Sequence, residues 1–110
     1  MSQITTHVLD ASLGVPAAQV GVALERWAGD SWLLVATGET DDDGRARELG
    51  PDSVEPGRYR LAFASGDYFS TSGRDTFYPE VTIVFAVEAG EHYHVPILLS
   101  PFAYTTYRGS

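Results

Sequence analysis

Val81-Thr82-Ile83-Val84-Phe85-Ala86-Val87 alternates along its length with a period of two. An extended strand sends successive side chains to opposite faces, so Val81, Ile83, Phe85 and Val87 line one face together. A buried helix face would instead repeat its apolar positions every three to four residues. The same period of two recurs upstream in Val20, Val22 and Leu24, and downstream in Val95, Ile97 and Leu99. Each set supplies one inward face of an antiparallel sandwich.

Gly, Pro, Asp and Ser punctuate these segments. Gly14-Val15-Pro16, Gly29-Asp30, Asp43-Gly44, Pro56-Gly57 and Ala89-Gly90 supply the positive-φ or fixed-φ residues that tight turns need. Strands are therefore expected over residues 4–10, 19–27, 32–39, 44–48, 57–64, 81–88, 91–100 and 103–108. Eight strands make two sheets of four, and residues 66–73, ahead of Pro79, have room for one or two helical turns. The chain reads as an all-β sandwich with one short helix.

At 110 residues the expectation is one domain over residues 1–110, burying about 65% of its unfolded surface. Seven basic residues stand against fifteen acidic ones, a net charge of −8. That field repels phosphate backbones and anionic lipid, so nucleic acid and membrane are not expected partners. Without cysteine there is no disulfide framework and no thiol nucleophile. The start of the chain has no basic segment followed by an apolar run, and a cytoplasmic location is expected.

Three histidines can carry chemistry. His7 shares its strand face with Thr5 and Leu9, while His94 points opposite to Val95, Ile97 and Leu99, and both are placed to face one pocket. His92 and His94 have the i, i+2 spacing that zinc sites use, and His7 would be the third ligand of such a site. Arg45 follows Asp43-Gly44 and shares a strand face with Arg47; either offers a permanently charged, planar fork of donors. Asp41-Asp42-Asp43 has too few alternating oxygen ligands for a calcium loop and reads as a solvated turn. Ser110 lacks the surroundings of a triad serine.

Taken together, Thr6-His7-Val8-Leu9-Asp10, Asp43-Gly44-Arg45, His92-Tyr93-His94-Val95-Pro96-Ile97-Leu98-Leu99-Ser100-Pro101 and Tyr107-Arg108-Gly109-Ser110 resemble the 5-hydroxyisourate hydrolases. These are urate-pathway relatives of the hormone carrier transthyretin, and the resemblance runs from Ile4 to Ser110. It implies a transthyretin-like sandwich and hydrolysis of the N1–C6 amide bond of 5-hydroxyisourate, a small-molecule substrate, with water as nucleophile and no cofactor. It implies catalytic roles for His7, Arg45, His94 and Ser110, and contact of His7, Arg45, Tyr107, Arg108 and Gly109 with substrate. Function falls on His94 and not on His92, so the metal-free reading is preferred to the zinc one. The tetrapeptide Tyr107 to Ser110 is expected to form a wall of the site. The resemblance also implies a homotetramer, a dimer of dimers with sites between subunits in a central channel.

Histidine suits this chemistry because an imidazole titrates near neutral pH and can accept or return a proton. Which of His7 and His94 is base and which is acid stays open at this point. The alternative is a transthyretin-like protein that binds a small ligand without chemistry. The carrier has lysine, glutamate and threonine where this chain has His7, Arg45 and His94.

Overall fold

Two sheets close over one apolar interior in the computed structural model, which describes residues 2–110; Met1, the first residue of the expected domain, lies outside them. The elements are β1 (Ile4–Asp10), β2 (Val15–Pro16), β3 (Gly21–Trp27), β4 (Trp32–Glu39), β5 (Arg45–Ala46), β6 (Gly57–Phe63), α1 (Ser65–Thr71), β7 (Val81–Val87), β8 (Tyr93–Ser100) and β9 (Ala103–Thr106). One sheet runs β2-β1-β8-β9 with β5 also on β1; the other runs β4-β3-β6-β7. No helix among the described residues is long and apolar enough to cross a membrane.

Alternation sorts the side chains as the sequence requires. Ile4 and Val8 of β1, Ile97 and Leu99 of β8, Val22 and Leu24 of β3, and Leu61 and Phe63 of β6 meet in the core. Fully burying a side chain of this size stabilises the fold by about 1.5–3 kcal/mol. The opposite parity on β1, Thr5, His7 and Leu9, is thereby turned to the outer face of its sheet.

The sandwich with one helix is as expected, but the sheet bearing β1 has five strands where four were expected, and within it β1 pairs with β8 in parallel where antiparallel pairing was expected. Val15–Pro16, read from sequence as part of a turn, folds back on β1 in the register Leu9↔Pro16 and Asp10↔Val15. Gly14, at φ 72°, turns the chain and donates its N–H to the Asp10 carbonyl at 2.8 Å. Pro16 is tolerated there because an edge strand need not donate on its outer side. The strand expected at 44–48 contracts to Arg45–Ala46, and that expected at 103–108 ends at Thr106.

Helix α1 is moored to β1 through a buried carboxylate. Asp10 accepts hydrogen bonds from Tyr68 Oη, Arg74 Nη2 and Ser12 Oγ, each at 2.7 Å, and from the Leu13 amide at 3.1 Å. Burial alone would raise its pKa, but the Arg74 ion pair and these donors outweigh it and hold the carboxyl well below the usual range.

Candidate active site

The outer face of the β1 sheet collects the polar groups. β5 pairs antiparallel with β1 so that His7 stands directly opposite Arg45, and β8 pairs parallel with β1 so that Thr5 stands opposite His94. Directly paired residues share a face, so Thr5, His7, Arg45 and His94 all project from it. A cavity of about 270 Å³ opens here, lined by Thr5, Arg45, Arg47, His92, His94 and Ser110 among others.

Arg45 is set in place by the turn before it. Gly44 adopts φ +77°, and a Cβ there would come within 2.3 Å of the Val8 carbonyl oxygen, so only glycine fits against β1. Asp41 accepts from the amides of Arg45 and Asp43, both at 2.9 Å, and its other oxygen accepts from Arg47 Nη1 at 3.0 Å. The Arg45 amide is the main cause of a lowered Asp41 pKa; desolvation opposes it, and the Asp43 amide and the charges of Arg47 and Arg45 add to the lowering. Asp41 thus braces the loop and engages Arg47, while Arg45 stands beside His7.

The two imidazoles are held differently. His7 Nε2 lies 2.8 Å from the Asp43 carbonyl. A carbonyl only accepts, so Nε2 carries the proton and neutral His7 keeps its lone pair on Nδ1. His94 Nδ1 lies 2.9 Å from the Thr5 hydroxyl, which leaves Nε2 as the nitrogen free for substrate. Burial lowers the His94 pKa, and the nearby positive charge of Arg45, then His7 and His92, lowers it further. His94 is therefore a neutral ring at neutral pH.

A family model described as "Transthyretin: HIUase/Transthyretin family" matches residues 4–109. The chain belongs to this family. The 5-hydroxyisourate hydrolase of Caulobacter vibrioides is 47% identical, with 100% of each chain covered. Among solved structures, Klebsiella pneumoniae 5-hydroxyisourate hydrolase superposes with a TM-score of 0.87 at 36% identity, covering 97% of this chain and 98% of its own. Transthyretin from Sparus aurata superposes with a TM-score of 0.92 at 31% identity, covering 99% and 97%.

Of the residues that the family resemblance singled out, His7, Arg45, His94 and Ser110 gather on this face, although His7 is set back against the Asp43 carbonyl. Gly109 forms an antiparallel bridge with His94 and donates its amide to the His94 carbonyl at 2.8 Å. A Cβ on Gly109 would meet His94 Cδ2 at 2.7 Å, so its hydrogen lets the backbone lie against the imidazole. Tyr107 and Arg108 turn instead to a neighbouring cavity of about 350 Å³, which His94 also lines. There Arg108 lies 4.6 Å from the Tyr93 ring centroid and 3.6 Å from Glu91 Oε1. Sequence reasoning noticed Thr5 only as a face-mate of His7 and gave the acidic turn no function. The period-two face was the available signal for Thr5.

Proposed function

We propose that this chain is a 5-hydroxyisourate hydrolase that opens the six-membered ring at its N1–C6 amide bond, giving 2-oxo-4-hydroxy-4-carboxy-5-ureidoimidazoline. The observation that carries the site assignment is the shared face: two imidazoles with differently engaged nitrogens beside a guanidinium. A carrier has no need of that pairing.

In this reading His7 is the general base. Its Nδ1 lone pair takes a proton from water, whose oxygen adds to C6. Arg45 holds the substrate carbonyl and stabilises the oxyanion as it forms, where a preorganised charge acts most strongly. His94 gives its Nε2 proton to N1 as the C6–N1 bond breaks. Ser110 lines the same cavity and orients substrate or water with its hydroxyl. Tyr107, Arg108 and Gly109 form the wall that continues from His94.

We further propose a homotetramer. β7 and β9 each pair on one side only, leaving open edges that flank the 350 Å³ cavity. Val84, Phe102, Tyr104 and Tyr107 expose apolar surface around them.

Freshly generated 5-hydroxyisourate, followed by ultraviolet absorbance with spontaneous decay subtracted, tests the activity directly. The protein should accelerate decay, and folded His7→Ala and His94→Ala should each lose roughly 10²- to 10⁴-fold in rate. Wild-type activity in either variant would refute the site assignment.

A further inference from the structure

His94, once it has given up its Nε2 proton, needs a proton at Nδ1 to remain a neutral ring. The only side chain hydrogen-bonded to that nitrogen among the described residues is Thr5, whose hydroxyl is 2.9 Å away. The same hydroxyl lies 3.3 Å from His92 Nε2. Thr5 is 4% exposed and His92 is exposed, so a buried hydroxyl links two rings that line the same cavity, the more exposed His92 and the half-buried His94. A hydroxyl has one proton to donate and lone pairs to accept with, so it can bond both rings only by donating to one and accepting from the other.

We propose that Thr5 and His92 form a proton relay that recharges His94 during hydrolysis, a role that rests on the assignment of His94 as the proton donor. The balance is as follows. His92 begins as imidazolium, charged from solvent, and donates from Nε2 to Thr5 Oγ1. Thr5 gives its own proton to His94 Nδ1, and His94 Nε2–H passes to the departing N1. Three bonds to hydrogen break and three form; His94 is neutral before and after, having only exchanged tautomers, and His92 ends neutral. Water loses one proton to His7 as its oxygen adds to C6. After product leaves, His7 returns that proton to solvent, His94 Nε2 takes one from water, and the His94 Nδ1 proton runs back through Thr5 to His92, restoring all the groups.

This division of labour explains two features of the site together. Arg45, His7 and His92 all disfavour a charged His94, and Arg47 lines the same cavity, so His94 is poorly placed to store a proton as imidazolium. A ring that conducts by changing tautomer has no need to store one. Thr5 and His92 are positioning and transfer groups here, and neither is required to touch substrate.

Thr5→Val keeps the shape and removes the hydroxyl, Thr5→Ser restores it, and His92→Gln removes the outer ring. Thr5→Val and His92→Gln should each lower kcat about 10- to 100-fold with KM little changed, while Thr5→Ser stays within a few-fold of wild type. The Thr5→Val/His92→Gln double variant should be no slower than Thr5→Val, because members of one unit are non-additive. Imidazole buffer should speed His92→Gln and leave wild type unchanged. Losses that multiply, or a Thr5→Val variant with wild-type kcat, would overturn the relay while leaving His94 assigned if His94→Ala stays inactive. Nitrogen NMR of the imidazoles reads the relay without turnover: His94 should show a defined tautomer in wild type and Thr5→Ser and a mixture in Thr5→Val. An unchanged His94 tautomer in Thr5→Val would also overturn it.

Discussion

At the scale of single residues, the pair Arg45 and Arg47 separates charge from geometry. Both line the cavity, but Arg47 is tied to Asp41 and Arg45 stands across from His7. Arg45→Lys keeps the charge and loses the planar fork, so kcat/KM should fall by roughly 100-fold or more, as for a lost oxyanion donor. Arg47→Lys should cost only a few-fold. Equal, mild losses in steady-state assays of the two would contradict the assignment. His94 provides a second check, because burial first, and then its positively charged neighbours, hold its folded pKa below the ordinary value of about 6.5. The folded state therefore binds fewer protons than the unfolded one, and His94's contribution lowers stability as pH falls through that value toward the folded pKa. Arg45→Gln removes one of the causes, so the His94 titration followed by NMR should move upward; an unmoved titration would deny the coupling. His7, Arg45 and His94 were legible in sequence because their flanking motifs carried the resemblance. The nitrogen that each histidine offers was not legible, since it depends on the Asp43 carbonyl and Thr5, which only the fold brings near.

At the scale of elements, the long alternating strands could be read and the short ones could not. Val81–Val87 buries alternate residues along its length because its pattern is intrinsic to a pleated strand. Val15–Pro16 and Arg45–Ala46 are two residues each, too short to show a period, and both exist as strands only through pairing with β1. The parallel pairing of β1 with β8 joins segments from opposite ends of the chain, and no local pattern encodes it. That pairing is nevertheless what places Thr5 beside His94. The mooring of α1 can be tested at Arg74. Its side chain is 23% exposed and that of Asp10 is 0% exposed, so Arg74→Met leaves a buried carboxylate without its cation. The loss should be about 3–5 kcal/mol at neutral pH, measured by urea denaturation. Because the folded pKa of Asp10 is depressed, the stabilisation is complete above the unfolded value near 3.9 and is lost as pH falls toward the folded one. The gap between wild type and Arg74→Met should therefore narrow below about pH 4. A gap that stays constant with pH would show that packing, not the ion pair, carries the effect.

At the scale of the whole molecule, the candidate site lies on an outer sheet face, and the open edges of β7 and β9 lie together on one side of the sandwich. A two-fold axis beside β7 and β9 would pair both edges with their own copies and cover the exposed aromatic side chains around them. The outer faces of two such pairs would then enclose the cavities lined by His94 and narrow their access to water. Thr105 sits on β9, opposite Leu98 of β8 and exposed. An isologous contact brings such a position close to its own counterpart, so Thr105→Glu would set like charges against each other in a chain already at −8. Wild type should sediment as a tetramer at micromolar concentration, and Thr105→Glu as smaller species with an unchanged circular dichroism spectrum. Activity per chain should fall with assembly, because each cavity loses the face that closes it, and raising salt should partly restore both by screening the introduced charges. A wild-type monomer with full activity would remove the tetramer from the mechanism and leave the face of His7, Arg45 and His94 to work open to solvent.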